Sequence, residues 1–108
     1  MELKYDYWTG HFEDIKASLI KSISQHSINH KGIRIGITND PERRHKEYQI
    51  GNQGWVKMIV KYETTSANYI HIMDEILSSY HWEYASNIKG DVSESYKTPP
   101  FYVYLVIK

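Results

Sequence analysis

The stretch GIRIGITNDPERRHKEY, residues 32–48, carries the clearest structural signal in this chain. Its first half alternates isoleucines with polar or small residues, which is typical of a half-buried strand and predicts one at residues 32–37. Asp40 can then cap free backbone N–H groups, and Pro41 suits the first position of a helix because its missing donor is not needed there. The stretch therefore predicts a strand followed directly by a basic helix that runs to about Tyr48.

The flanking sequence predicts four further elements and one loop. Residues 11–28 and 67–80 have the apolar spacing of amphipathic helices, and residues 55–62 (WVKMIVKY) are typical of a strand. Residues 87–100 have the composition of a loop, whereas residues 101–107 (FYVYLVI) are apolar on both faces, as in a central strand. Nothing before Gly32 has the pattern expected of a further sheet strand. The chain therefore predicts an α+β fold with a three-stranded sheet.

The size and composition of the chain limit the classes it can belong to. Its 108 residues predict a single domain, 1–108, in which the N-terminal helix 11–28 precedes a core at residues 32–107. The absence of cysteine excludes disulfides and thiolate metal sites. No apolar run is long enough to cross a bilayer, and residues 1–10 are too polar for a signal peptide, so we expect a cytoplasmic protein without a membrane partner.

The charges are unevenly distributed along the chain. The formal net charge is zero, which argues mildly against a dedicated nucleic-acid-binding domain. Residues 31–61, however, hold seven Lys and Arg against three Asp and Glu, whereas both flanking regions are acidic. A basic centre of this kind can produce a local field that the total charge conceals.

The opening stretch resembles the core of the GIY-YIG nuclease superfamily. In that family, a strand ending in Tyr-Ile-Gly is followed ten residues after the Tyr by a helical Arg, and one turn later by a His or Tyr. Here residues 34–36 (RIG) occupy the place of the triplet, Arg44 lies ten residues beyond Arg34, and Tyr48 follows four residues later. A spacing of four places Arg44 and Tyr48 on one face of the helix.

The resemblance also implies a metal-binding acid and a structural Asn. Asn87 matches the family's Asn, and counting back about a dozen residues leads to Asp74 or Glu75 as the acid. Glu75 has the side chain usual in the family but projects away from the apolar stripe of its helix, whereas Asp74 lies at the edge of that stripe. We favour Asp74 and keep Glu75 as an alternative. Gly36, the last residue of the triplet, has a structural role in this comparison.

The family's first strand, which contains the GIY triplet, has its counterpart at the end of this chain. Residues 102–104 (YVY) resemble a known variant of that triplet, which suggests a circular permutation that moves the first strand to residues 101–107. The resemblance then implies a small antiparallel sheet of three strands, flanked by helices. It requires residues 101–107 to pair with the strand at residues 32–37.

The resemblance implies Mg²⁺-dependent hydrolysis of DNA phosphodiester bonds by an endonuclease of phage or mobile-element type. In such a site a carboxylate holds one Mg²⁺, and Arg44 donates hydrogen bonds to the phosphate. Tyr104 activates water or orients the phosphate, and Tyr48 is a neighbouring hydrogen-bond partner. Arg34 replaces the Tyr of the YIG triplet, and a guanidinium cannot act as a base. A phage-associated branch of the superfamily also has a basic residue there. Three further basic side chains are candidates for contacts with nucleic acid: Lys31, Arg43 and Lys46.

Plainer interpretations of the same residues stay open. Arg44 can be a surface arginine, the two tyrosines can be packing residues, and the acids can be ordinary solvated carboxylates. Two other functions are compatible with the pattern. One is a nucleic-acid-binding module that does not cut, and the other is a protein-interaction or inhibitor module, with a homodimer or a protein partner.

Overall fold

A computed structural model describes residues 1–29, 32–51, 54–78, 83–84 and 98–108 of the chain. In these ranges the elements alternate between strands and helices up to the last two strands. No helix in these ranges has the length and apolar character needed to cross a bilayer. The strands are β1 (Glu2–Trp8), β2 (Ile33–Thr38), β3 (Lys57–Thr64), β4 (Glu83–Tyr84) and β5 (Phe101–Ile107), and the helices are α1 (Phe12–Asn29), α2 (Pro41–Gly51) and α3 (Ala67–Ser78).

The strands form one mixed sheet in the order β1-β3-β5-β2-β4. The three predicted strands make its antiparallel centre, with β5 between β3 and β2. The expected three-stranded antiparallel sheet is nevertheless wrong, because β1 adds parallel to β3 and the two-residue β4 adds parallel to β2. The fold is α+β, as expected, and the central place of β5 is confirmed because its side chains are covered on both faces.

Strand β1 is the longer of the two strands that the sequence prediction missed, the other being β4. Its side chains are almost all exposed, because it lies at the edge of the sheet. It is nevertheless paired with β3, from Glu2 opposite Lys57 to Trp8 opposite Tyr62, with a shift of register between Tyr5 and Trp8. The alternation of Leu3 and Tyr5 with charged residues was the available signal, but a strand held by a distant partner has little local evidence of burial.

The two faces of the sheet pack against different helices. Helices α1 and α3 cover one face and form a core with it. The buried apolar residues of this core, from the helices and the strands together, are Leu19, Ile23, Ile33, Ile35, Ile37, Ile59, Tyr62, Ile70, Met73, Phe101, Val103, Leu105 and Ile107. Helix α2 covers part of the other face, which we call the α2 face. Its buried residues are Trp55, Met58, Val60, Tyr104 and Val106, with Met1, Leu3, Tyr48 and Tyr102 packed against them.

Helix α2 begins as its sequence predicted. The Asp40 carboxylate accepts a hydrogen bond from the backbone N–H of Arg43 at 3.1 Å, and Pro41 is buried at the first helical position. The hydroxyl of Thr38 accepts the N–H of Asp40 at 3.1 Å, which fixes the turn out of β2. The helix continues to Gly51, beyond the expected end at Tyr48.

A β-bulge at Lys61 changes which side chains of β3 reach the α2 face. Val60 lies opposite Tyr104 and Tyr62 lies opposite Val103, so Lys61 is an extra residue in β3. Tyr62 consequently joins the core beside α1 and α3. Glu63, the next residue, turns towards the α2 face, where it lies opposite Tyr102. Without the bulge the alternation along β3 would place Glu63 on the other face.

Candidate functional site

The α2 face brings together side chains from β2, β5 and α2. Because side chains alternate along a strand, Tyr102 and Tyr104 of β5 point to this face, while Val103 packs on the opposite one. In β2 the same alternation places Arg34 and Gly36 on the α2 face, since the isoleucines between them lie in the other core. Strands β2 and β5 pair antiparallel, with Gly36 opposite Tyr104 and Arg34 opposite Val106.

Tyr48 and Tyr104 form the centre of this arrangement. Their hydroxyl oxygens lie 2.9 Å apart, and their rings meet edge to face at a centroid distance of 5.9 Å. Tyr104 has 0 % of its surface exposed, whereas Tyr48 is half-buried on α2. The pair therefore links the central strand to the helix, and Tyr48 is the member with access to solvent.

Trp55 joins this tyrosine pair to two cations. Its ring lies 6.4 Å from that of Tyr48, with the Arg34 guanidinium 5.3 Å and the Lys108 ammonium 4.6 Å from its centroid. The stem of Lys108 passes over Gly32, where an added Cβ would lie 2.9 Å from a side-chain carbon of the lysine. The indole is thus a packing residue, and it also holds positive charge beside the tyrosines.

Arg44 is largely buried on the same helix as Tyr48. Its side chain is 11 % exposed, and its Nε lies 3.5 Å from a carboxylate oxygen of Glu47. That distance is an ion-pair distance, and within the described ranges Nε has no partner with hydrogen-bond geometry. Because Arg44 and Tyr48 are four residues apart, they share one face of α2. The structure therefore places a partly satisfied guanidinium one helical turn from the tyrosine pair.

The other basic candidates lie on the outer surface of α2. Arg43 and Lys46 are exposed. The guanidinium of Arg43 donates a hydrogen bond of 3.5 Å to the side-chain oxygen of Asn39, whose amide group in turn donates to the carbonyl of Thr98 at 3.2 Å. Lys31 lies outside the described residues. The two described side chains extend the positive charge of the α2 face around the helix.

The acids expected to bind metal belong to a helix on the other side of the sheet. Helix α3 packs Ile70 and Met73 into the core beside α1, and Glu75 is exposed. The side chain of Asp74 and the whole of Asn87 lie outside the described part of the chain. Among the side chains that are described, no three His, Asp or Glu come close enough to form a metal site. The structure thus does not bring Glu75 to Tyr48 and Tyr104.

A carboxylate and a tyrosine that no sequence motif indicated meet on the α2 face. The pKa of Tyr102 is raised to about 12, first by burial and then by its hydrogen bond to Glu63, because the neutral phenol donates to the carboxylate. Tyr7 meets Tyr102 edge to face at 6.3 Å. The pKa of Tyr5 is also raised, mainly by burial and then by the charge of Glu42. No sequence pattern could have found these contacts, since they depend on the bulge and on β1.

Comparison with protein-family models, with curated proteins and with solved structures finds no match to this chain.

Proposed function

We propose that the α2 face binds the phosphate backbone of DNA, and that the protein is a Mg²⁺-dependent endonuclease similar to a circularly permuted GIY-YIG domain. The observation that supports the proposal most is the position of Tyr104. The antiparallel pairing of β2 with β5 sets it opposite Gly36, and its hydroxyl lies 2.9 Å from that of Tyr48. This is the arrangement that a permuted GIY strand requires.

The two tyrosines differ in solvent exposure, and this difference assigns them different roles. Tyr104 has no exposed surface, so it acts as a positioning residue that holds the Tyr48 hydroxyl by a hydrogen bond. Tyr48 is the one that contacts the phosphate or the attacking water. Arg44 supplies fixed N–H donors as negative charge develops on the phosphate. We expect this stabilisation of the developing charge to contribute more to the rate than the hydroxyl of Tyr48 does. Arg34 and Lys108 increase the positive potential around Trp55 without acting as bases.

A bound Mg²⁺ would neutralise charge on the phosphate and stabilise the leaving oxygen. Glu75 does not fit this role in the present arrangement, because it is exposed on a helix that packs against the other face. Asp74, on the same helix α3, is the other candidate from the sequence, and its side chain lies outside the described residues. Substituting Asp74→Asn and Glu75→Gln separately, and measuring Mg²⁺-dependent cleavage by each variant, distinguishes the two.

The decisive experiment incubates supercoiled plasmid with the purified protein in Mg²⁺ and in EDTA. We expect nicked or linear product in Mg²⁺ alone. Arg44→Gln is expected to reduce the rate by about 100-fold or more, as loss of a donor to a developing oxyanion does. Arg43→Gln is the matched control, because Arg43 is the adjacent arginine of the same helix but is exposed. Equal rates for the two variants would contradict the proposed site.

Binding without cleavage is a second candidate, and the position of Arg34 favours it. The residue that occupies the place of the YIG tyrosine packs on Trp55 and cannot take a proton. This candidate predicts intact plasmid in Mg²⁺, together with a change in fluorescence anisotropy of labelled DNA. The affinity should fall steeply as salt concentration rises, because bound phosphates release counterions.

A further inference from the structure

Strand β1 has an open side with a defined set of backbone groups. It is an edge strand, and in the described ranges no strand lies on its outer side. The N–H of Glu2 donates to the carbonyl of Val56, so Glu2 directs its backbone groups towards β3. In a parallel pair, alternate residues do this. From Glu2 to Tyr5 the pairing is regular, so Lys4 also faces β3, whereas the N–H and C=O groups of Leu3 and Tyr5 point outwards. Between Tyr5 and Trp8 the register shifts.

We propose that a second copy of this chain pairs with β1 in antiparallel orientation, on a two-fold axis that passes beside Tyr5 and perpendicular to the sheet. Tyr5 is the midpoint of the seven-residue strand, so this register overlaps all of it. Tyr5 then exchanges two hydrogen bonds with Tyr5 of the second copy. Leu3, whose backbone groups also point outwards, adds further hydrogen bonds on each side of the axis, and the two sheets join into one.

The charges along β1 select this register. Lys4 and Asp6 flank Tyr5, so a pair centred on Tyr5 brings each Lys4 across from Asp6 of the second copy, and the two-fold axis creates this attractive pair twice. The Asp6 side chain is 62 % exposed while its carboxylate lies 3.7 Å from the Lys61 ammonium, so it can accept a second cation from outside.

In the two neighbouring registers, like charges face each other across the strand pair. Centring the pair on Lys4 would oppose lysine to lysine and Glu2 to Asp6. Centring it on Asp6 would oppose aspartate to aspartate. Like charges directly opposite each other destabilise a strand pair, so both alternatives carry repulsion where the Tyr5 register carries attraction.

The apolar side chains agree with the proposed pairing. Tyr5 and Tyr7 are 46 % and 39 % exposed, and their rings already meet edge to face at 6.2 Å. In the dimer, Leu3 covers Tyr7 of the second copy, and the two Tyr5 side chains meet at the axis. Because the axis is perpendicular to the sheet, both α2 faces lie on the same side of the dimer.

Sedimentation equilibrium of the full chain over a range of concentrations tests the proposal. We expect a monomer–dimer equilibrium with modest affinity, as a small interface gives. Lys4→Asp converts two attractive pairs into repulsive ones and should raise the dissociation constant by about tenfold or more. Lys21→Asp makes the same charge change at an exposed position of α1 and should leave it unchanged.

A backbone substitution separates edge pairing from contact through side chains. Tyr5→Pro removes an N–H that points away from β3, so the monomer is expected to keep its fold, while the dimer loses both central hydrogen bonds. Tyr5→Ala removes the same side chain but retains the N–H, and should dimerise more strongly than Tyr5→Pro. A wild-type monomer up to about 1 mM, or equal dimerisation of the folded Pro and Ala variants, would overturn the proposal.

Discussion

At the scale of single residues, the hydroxyl groups of Tyr48 and Tyr104 stabilise both the fold and the candidate site. Tyr104 is fully buried, and a buried hydroxyl that loses its partner is costly. The bond of 2.9 Å between them also fixes the distance between α2 and β5. The same contact that orients Tyr48 therefore also contributes to stability.

Tyr104→Phe is expected to lower the free energy of unfolding by about 1 kcal/mol, because the Tyr48 hydroxyl loses its partner. Tyr48→Phe should cost a similar amount. The double variant should cost less than the two single changes added together, since each single change already breaks the one shared bond. Urea denaturation of the four proteins measures this coupling, and strictly additive losses would show that the hydroxyls do not interact.

The Tyr102 phenol makes the stability of the folded protein decrease at alkaline pH. Its pKa in the folded protein is about 12, against an ordinary value of 10.0, because burial and the Glu63 carboxylate favour the neutral phenol. Its contribution is fully present below about pH 10 and is lost as the pH rises towards 12. We expect Tyr102→Phe to lose stability less steeply than wild type between pH 9 and 11 (roughly the accessible part of that window), as measured by urea denaturation. Parallel curves would contradict this account.

At the scale of elements, helix α2 is the one whose start is specified most locally. Asp40 accepts the Arg43 N–H, and Thr38 accepts the Asp40 N–H, so both interactions lie within a few residues. Local interactions of this kind are visible in a sequence because the residue types and their spacing are sufficient to form them. The bulge at Lys61 is different, since it depends on how β3 meets β5 and β1.

Asp40→Ala is expected to destabilise the protein by about 1 kcal/mol, because the first turn of α2 loses its capping acceptor. Asp40→Asn retains an oxygen that can accept the Arg43 N–H and should restore most of the stability. Thermal unfolding followed by circular dichroism compares the three proteins. If the Asn variant were as unstable as the Ala variant, the charge of Asp40 rather than its capping bond would be the important property.

At the scale of the whole molecule, the central strand connects all the layers. Strand β5 pairs with β2 and β3, and its side chains enter both cores. Strand β1 instead pairs with β3 on one side and is mostly exposed. Its start is further held by His45, whose Nε2 lies 2.6 Å from the carbonyl oxygen of Met1.

Deletion of residues 101–108 is expected to abolish cooperative unfolding, because β2 and β3 lose the strand that joins them. Deletion of residues 1–8 removes a strand of similar length from the edge and should leave a folded but less stable protein. Far-UV circular dichroism and thermal denaturation of both truncations make the comparison. A cooperative transition in the first truncation would show that β5 is peripheral.

The residues of the candidate site differ in how predictable they were, because their contacts join residues at different separations along the chain. Arg44 and Tyr48 lie on one helix, so their spacing of four residues was sufficient to associate them. Tyr104 was associated with them through a family resemblance, since it is 56 residues from Tyr48 along the chain. Glu63 was not foreseen, because a single extra residue in β3 decides which face of the sheet it occupies.

The elements that local interactions stabilise are predictable from the sequence: the capped helix after β2, the two amphipathic helices and the doubly covered strand at the end of the chain. Other features depend on long-range contacts: β1 is a strand, α3 packs on the face opposite α2, and Trp55 contacts both Arg34 and Tyr48. The physical reason is that helical spacing and capping act over a few residues. Strand pairing, bulges and the choice of sheet face depend on partners far away in the sequence.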